Sequence, residues 1–125
     1  MILILDAHAL LWWLGDDQTL DRAARASIAD PANDVLVSAA TVWELEIKRA
    51  LGKLEAPPDL LHVLDVEEID CLPILGEDAV HAAGLPMHHR DPFDRMMLAQ
   101  ALRLDAVVVS RDAALDAYDV AVLRA

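Results

Sequence analysis

The chain of 125 residues is long enough for one compact domain that buries about two-thirds of its unfolded surface. It is 56 % hydrophobic but only 4 % aromatic, which predicts a core of aliphatic side chains. Its 22 acidic against 10 basic residues give a formal charge of −12, which excludes broad electrostatic binding to nucleic-acid phosphates. Any contact with nucleic acid must therefore be local or bridged by a metal ion.

Cysteine usage and the N-terminal stretch indicate the compartment. The only cysteine, Cys71, cannot form an internal disulfide, and its apolar surroundings predict a buried thiol. The apolar N-terminal stretch is interrupted by Asp6 and has no preceding Lys or Arg, so we expect no signal peptide. No uncharged window of about 20 apolar residues is present to span a membrane. We therefore expect a cytoplasmic protein.

Short apolar runs typical of buried strands alternate along the chain with segments that have helical spacing. In chain order, the pattern predicts strand 2–5, helices 7–14 and 20–28, strand 35–37, helices 38–51 and 60–66, strand 69–74, helices 76–85 and 92–104, strand 107–109, a short helix 113–117 and strand 120–123. Pro73 indicates that the third strand lies at an edge. The alternation predicts one α/β domain over residues 1–125, with a parallel sheet of four or five strands and helices on both faces.

Acidic residues stand where the apolar runs stop. Asp6 follows the first predicted strand, Glu44 lies beyond the second, and Asp112 lies beyond the fourth. Because the carboxyl ends of parallel strands meet in one crevice, these carboxylates can become neighbours, and Asp91 and Asp94 can join them. Clustered carboxylates repel one another unless a positive group holds them, and Mg²⁺ or Mn²⁺ prefers carboxylate oxygens and water as ligands. The pattern therefore predicts an acidic metal site.

Glu44 has two interpretations that the sequence leaves open. It completes a capping box that starts at Thr41, and it can also pair with Lys48 one helical turn later. If the helix instead begins earlier, capped by Ser38, Glu44 moves into the second turn and faces the crevice. The first interpretation makes Glu44 structural, and the second makes it a candidate ligand.

The other acids also fit structural roles at helix starts. Asp6 and Asp112 each precede a predicted helix, where an N-cap carboxylate satisfies the first amides. Asp91 at N-cap, Pro92 at N1 and Asp94 at N3 form a well-built helix start. We expect Asp94 to be the ligand and Asp91 mainly the cap, because buried apolar residues behind them would hold the helix rigidly. These residues are Phe93, Met96, Met97, Ala101 and Leu104.

Further polar and aromatic residues lie near the acids in sequence. Ser110 can orient a water or a carboxylate, and three arginines can pair with the acids or contact a substrate phosphate. The arginines are Arg90, Arg95 and Arg111. His88 and His89 do not predict a zinc site, because adjacent side chains point apart and no His or Cys partner is spaced to join them. The three tryptophans, Trp12, Trp13 and Trp43, are expected in the core or at a partner surface.

Four stretches of the chain resemble the PIN-domain nucleases, specifically the VapC-type toxins of bacterial toxin–antitoxin pairs. They are residues 6–13, 38–48, 89–97 and 110–112. The block His89-Arg90-Asp91-Pro92-Phe93-Asp94-Arg95 is the most distinctive of them. The resemblance runs over nearly the whole chain and implies a single PIN domain.

The resemblance also implies roles for individual residues. Four acids match the family's catalytic ligands of Mg²⁺ or Mn²⁺, and these are Asp6, Glu44, Asp94 and Asp112. Asp91 is expected to assist without binding the metal directly, and Ser110 and Arg95 are candidates for ordering the site. Ala7 stands where many relatives carry Thr or Ser, so a hydroxyl often placed near the metal is missing.

The implied activity is that of an endoribonuclease. In such an enzyme the metal lowers the pKa of a bound water and aligns it with the RNA phosphodiester bond. The implied partners are an RNA substrate, a cognate antitoxin whose basic segment fills the acidic groove, and a second copy of the chain in a homodimer. No membrane partner is expected.

Three other classes of protein compete with this interpretation. A Mg²⁺-dependent phospho-acceptor signalling domain needs a Lys after its last strands, and no Lys follows Leu54. A phosphatase of the haloacid dehalogenase type needs an Asp where His8 stands. A catalytically silent acidic binding module, whose acids only cap helices, remains open. In such a module, loss of Asp6 or Asp94 would harm stability without affecting any metal-dependent activity.

Overall fold

A five-stranded sheet forms the centre of the computed structural model, which describes residues 1–125. Its strands are β1 (Ile2–Leu5), β2 (Asp34–Ser38), β3 (Asp70–Leu72), β4 (Val107–Ser110) and β5 (Val122–Arg124). All neighbouring strands are parallel, in the order β3-β2-β1-β4-β5. The predicted α/β class and parallel sheet are therefore confirmed, with five strands.

Six α-helices connect the strands, together with one short 3₁₀ helix, Ala113–Ala117. They are α1 (Ala7–Leu14), α2 (Arg22–Ala29), α3 (Ala39–Ala50), α4 (Leu60–Val66), α5 (Gly76–Gly84) and α6 (Pro92–Leu104). Each falls within two residues of its predicted bounds at either end. None of the helices has both the length and the hydrophobicity that crossing a membrane requires.

Helices cover both faces of the sheet, as predicted. Along the central strand β1, Leu3 and Leu5 pack into one hydrophobic cluster, whereas Ile4 packs into the other. The first cluster is completed by residues of α1 to α4, and the second by residues of α6 and by Tyr118. Because alternate residues of a strand face opposite sides, this uninterrupted apolar run is what a strand buried on both faces requires.

The structure of the edge strand β3 confirms one prediction and contradicts another. Pro73 follows this strand, and its predicted edge position is confirmed by the strand order. The prediction of a buried thiol is wrong, because Cys71 is exposed. An apolar run at the edge of a sheet is covered on fewer sides than the same run at its centre, so Cys71 has no neighbour that would bury it.

Helix α6 is the most deeply packed helix and carries two of the candidate acids at its start. Met97 and Ala101 are buried as predicted, with Leu98, Ala99 and Gln100 beside them, whereas Phe93, Met96 and Leu104 are only partly buried. An ion pair between the buried Asp78 and the partly exposed side chain of Arg103 fastens α5 to it, with Arg103 Nε 2.7 Å from Asp78 Oδ1. The two acids at the start of α6 are thus carried by a firmly packed helix.

Candidate metal centre

Two of the predicted acids follow adjacent strands and begin helices. Asp6 follows β1 and caps α1 by accepting a hydrogen bond of 2.8 Å from the amide of Ala9. Asp112 lies just beyond β4 and caps the 3₁₀ helix by accepting one of 2.9 Å from the amide of Ala114. Because β1 and β4 are parallel neighbours, both carboxylates reach the same edge of the sheet.

Glu44 lies in the second turn of α3. That helix begins at Ala39, and its N-cap is Ser38, whose hydroxyl accepts a hydrogen bond from the amide of Ala40. The predicted earlier start is confirmed, and the capping box at Thr41 is wrong, because Ser38 already ends strand β2 and turns the chain. The Glu44 side chain is 8 % exposed, and its Oε2 lies 2.7 Å from Nζ of Lys48.

Asp91 and Asp94 differ in whether they cap helix α6, and the predicted capping role of Asp91 is confirmed. Asp91 caps α6 by accepting hydrogen bonds from the amides of Phe93 and Asp94, with Pro92 in the first turn. The Asp94 carboxylate takes no part in capping. Its Oδ2 lies 2.7 Å from Nε2 of His89. Asp94 and Glu44 are thus two acids for which helix capping provides no explanation.

All five acids line one cavity of about 420 Å³. Its complete lining is Asp6, Ala7, His8, Trp12, Glu44, Lys48, Leu54, Asp91, Asp94, Arg111 and Asp112. Five carboxylates therefore face two permanently charged cations across a small space. As the sequence pattern predicted, the structure brings five acids together: Asp6, Glu44, Asp91, Asp94 and Asp112.

Burial and mutual repulsion disturb the titration of the acids. The pKa of Asp94 is raised to about 6, mainly by burial, and the charges of Asp91 and Asp6 contribute to this shift while His89 opposes it. Burial also raises the pKa of Asp6, against the lowering effects of Ser110, the Ala9 amide and His8. A divalent cation would relieve this strain, and an array of carboxylate oxygens is the donor set that Mg²⁺ and Mn²⁺ prefer. The residues present fit such an ion.

Ser110 lies between two of the acids. Its side chain is buried at the end of β4, its Oγ accepts a hydrogen bond of 3.1 Å from the Asp112 amide, and its hydroxyl lowers the pKa of Asp6. These contacts fit the orienting role that the sequence suggested.

Arg95 does not lie at the cavity. Its buried guanidinium donates hydrogen bonds to five backbone carbonyls, those of Ala82, Ala83, Leu85, Pro86 and His89. The predicted direct contact of Arg95 with substrate or acids is therefore not supported. One helical position separates it from Asp94, and that rotation of about 100° turns the two side chains to different sides of α6. Arg95 instead fastens the loop that precedes α6.

Arg90 and Arg111 form no ion pair with the acids either. Arg90 is exposed, whereas Arg111 packs over the ring of Trp12 at 4.6 Å and donates hydrogen bonds to the carbonyls of Thr19 and Ala125. Arg111 nevertheless lines the cavity, so it remains placed to meet an anionic substrate.

Besides Lys48 and Leu54, which line the cavity, three further residues at the site were not predicted there. His89 Nε2 lies 2.7 Å from Asp94 Oδ2 and 3.4 Å from Asp112 Oδ2. Trp12, expected in the core or at a partner surface, lines the cavity with His8 beside it, their ring centroids 5.6 Å apart. The only signal for these residues in the sequence was their nearness to Asp6 and Asp94 along the chain.

A family model for the PIN domain matches residues 3–121, a range that contains all of the candidate acids. The chain belongs to the PIN-domain family. That membership excludes the phospho-acceptor and haloacid dehalogenase alternatives. No curated protein sequence matches this PIN domain.

Solved structures of other proteins are similar to this PIN domain over nearly all of its length. FitAcB from Neisseria gonorrhoeae has 25 % sequence identity and a TM-score of 0.67, with 99 % of this chain and 97 % of that chain covered. VapBC2 from Rickettsia felis, bound to a DNA fragment from its promoter, has 11 % identity and a TM-score of 0.71, with 98 % of each chain covered. A toxin–antitoxin complex from Klebsiella pneumoniae has 14 % identity and a TM-score of 0.66, with 98 % and 96 % covered.

Proposed function

We propose that this PIN domain is a metal-dependent endoribonuclease that acts in the cytoplasm as the toxin of a toxin–antitoxin pair. The observation that carries the proposal is the convergence of Asp6, Glu44, Asp94 and Asp112 on one cavity. Similarity to toxin–antitoxin complexes supports the biological role. Two of the acids have no capping function, which argues against a silent binding module.

Four carboxylates would hold the ion, namely Asp6, Glu44, Asp94 and Asp112. When bound, Mg²⁺ or Mn²⁺ supplies a water of lowered pKa and offsets negative charge on the phosphodiester. Asp91 contributes by fixing the first turn of α6, and Ser110 by orienting Asp6 and Asp112.

The cations of the cavity have a separate task. Lys48 donates a hydrogen bond to Glu44, which raises the pKa of the amine. The negative charges of Asp91 and Asp94 raise this pKa as well. With Arg111, Lys48 provides the positive charge that an RNA phosphate can meet at this site. The net charge of −12 disfavours RNA binding to the rest of the surface, so the metal ion and these two cations would confine binding to the cavity.

Cleavage of a mixed cellular RNA pool tests the nuclease. Protein freed of any partner is expected to cut RNA with Mg²⁺ or Mn²⁺, and EDTA is expected to stop it. Asp6→Asn is expected to lower the rate at least about a hundredfold, since replacing a residue that merely orients a metal ligand already costs about 10–100-fold. Asp116→Asn, which changes an exposed acid outside the cavity, serves as the matched control.

The silent module predicts the opposite result. If the folded, metal-loaded protein cuts no RNA, or cuts equally well in EDTA, the nuclease proposal fails.

An apolar pair that joins α3 and α6, the helices that carry Glu44 and Asp94, supports binding of an antitoxin. Trp43 on α3 is 63 % exposed and meets Phe93 on α6 edge to face, with ring centroids 5.4 Å apart. Each ring is adjacent in sequence to a cavity acid, Glu44 or Asp94. A partner segment that combines an apolar anchor with basic residues would match this surface and block the cavity. Exposed apolar residues on other helices offer surface for the proposed homodimer, among them Leu61, Val66 and Val80.

We expect saturating cognate antitoxin to abolish RNA cleavage. Trp43→Ala should weaken the complex by about 2 kcal/mol or more, as truncation of a buried aromatic anchor does, and so raise the antitoxin concentration needed for inhibition. Titration of the cleavage rate with antitoxin measures both effects. Full activity in the presence of saturating antitoxin would refute the inhibitory role without touching the nuclease itself.

A further inference from the structure

The imidazole of His89 lies against two acids of the candidate metal centre. Together with Asp94 and Asp112 it forms a group whose ligand atoms all lie within 4.8 Å of one another. Its imidazole is 19 % exposed, and Nε2 faces both carboxylates, at 2.7 and 3.4 Å. The side chain is therefore a part of the cluster and not a solvated surface histidine.

The backbone of His89 is fixed on both sides although it lies outside any helix or strand. Its amide donates a 2.9 Å hydrogen bond to the hydroxyl of Tyr118, which in turn donates one of 2.6 Å to the carbonyl of Pro86. Its carbonyl accepts a 3.1 Å hydrogen bond from the buried guanidinium of Arg95. Tyr118 and Arg95 are both buried, so the imidazole is presented to the acids from a preorganised position.

The spacing of the three side chains suits a common ion. Neighbouring ligands of a six-coordinate ion with bonds of about 2.1 Å are about 3 Å apart, and the two distances from His89 bracket this value. We propose that His89 is a direct nitrogen ligand of the metal ion and that it makes the centre prefer Mn²⁺ to Mg²⁺. Imidazole nitrogen suits first-row transition ions, whereas Mg²⁺ prefers oxygen ligands throughout. The inference rests on the proposed metal-dependent function.

A hydrogen bond between His89 and Asp94 has the same spacing, so the test must detect a metal–nitrogen bond. Pulsed electron paramagnetic resonance of the RNA-free protein with one equivalent of Mn²⁺ does so. Nitrogen hyperfine coupling is expected in the wild type and in His88→Gln, whose ring contacts Tyr118 instead of the acids. Nitrogen coupling is also expected in His8→Gln, because His8 is the histidine that lines the cavity and not one of the three grouped ligands. It should disappear in His89→Gln.

Metal affinity gives a second readout that is independent of RNA cleavage. In His89→Gln, the Mn²⁺ dissociation constant should rise about tenfold or more, while that for Mg²⁺ changes less than about threefold. Calorimetric titration measures both constants. Glutamine retains a donor for Asp94, and thermal unfolding of the metal-free variant checks that it is folded.

The outcomes separate this inference from the proposed function. Bound Mn²⁺ that needs Asp94 but shows no nitrogen coupling would overturn the role of His89 and leave the metal centre intact. Coupling that survives His89→Gln would assign the nitrogen to another group and overturn it equally. Absence of Mn²⁺ binding to the folded wild type would remove the metal centre and this inference together.

Discussion

Replacing Asp94 with asparagine is expected to make the metal-free protein more stable and, at the same time, to lower RNA cleavage at least about a hundredfold. Both effects have one cause. The site holds several carboxylates close together in a partly buried cavity. Their burial and mutual repulsion destabilise the metal-free protein, whereas a bound cation would offset both costs. An uncharged, isosteric side chain removes the repulsion and the ligand oxygen together.

The sign of the stability change follows from the pKa of Asp94, which is raised from 3.8 to about 6 in the folded protein. Between these values the folded state holds a proton that the unfolded chain has released, so the stability that Asp94 contributes falls as pH rises from about 4 to 6 and stays low above. One pKa unit corresponds to about 1.4 kcal/mol, so the gain for Asp94→Asn near pH 7.5 is about 3 kcal/mol.

Urea denaturation in EDTA at pH 4 and pH 7.5 measures this gain. The difference between Asp94→Asn and wild type should be small at pH 4 and favour the variant at pH 7.5. Asp65→Asn, at an exposed position on α4, controls for loss of surface charge. A variant less stable than wild type at pH 7.5 would mean that the Asp94–His89 contact outweighs the burial of charge, and that Asp94 serves mainly to hold the fold.

Replacing Arg95 with methionine is expected to cost on the order of 3–5 kcal/mol of folding free energy, the largest loss we expect from a single substitution. Arg95 is 6 % exposed, and its guanidinium is the shared donor for five carbonyls at the end of α5 and in the following loop. Methionine fills a similar volume but removes the donor from all five carbonyls, and those of Ala82 and Leu85 accept their bonds at buried positions.

Arg95→Met should also disturb the geometry of the metal centre. The carbonyl of His89 is one of the acceptors, so the loop would lose part of what positions His89 and Asp91. We expect Arg95→Met to weaken Mn²⁺ binding as well as folding. Arg95→Lys keeps the charge but lacks the planar fork, and should fall between wild type and Arg95→Met.

Chemical denaturation and calorimetry measure the two effects. Arg90→Met, at an exposed position of the same loop, should change stability by less than about 0.5 kcal/mol. A loss below about 1 kcal/mol for Arg95→Met would contradict the structural role, because it would show that water satisfies the five carbonyls in the variant.

The acids at the strand ends could be predicted from local pattern because a topological rule brings them together. An apolar run such as residues 2–5 identifies a strand, and parallel strands end at one edge, so Asp6 and Asp112 need no further information to become neighbours. The position of Glu44 could not be predicted from the strand pattern alone, because it depends on where helix α3 begins. Ser38 and Thr41 are both acceptable caps, and only the packing of α3 and the end of β2 select the first.

Residues whose positions depend on tertiary contacts could not be predicted. Arg95 adjoins Asp94 in the distinctive sequence block, yet the helix turns it toward the end of α5, which lies close only in the folded chain. His89 reaches the acids because Tyr118, 29 residues later, fixes its amide. Cys71 has apolar neighbours in sequence, but the strand order decides its exposure.

The location of Mn²⁺ in crystals soaked with the ion and a short single-stranded RNA tests the central claim most directly, since anomalous X-ray scattering identifies the ion unambiguously. The account predicts an anomalous peak inside the cavity, in contact with Asp6 and Asp94 and with a phosphate of the RNA. A peak elsewhere, or RNA bound with its phosphates away from these carboxylates, would contradict it.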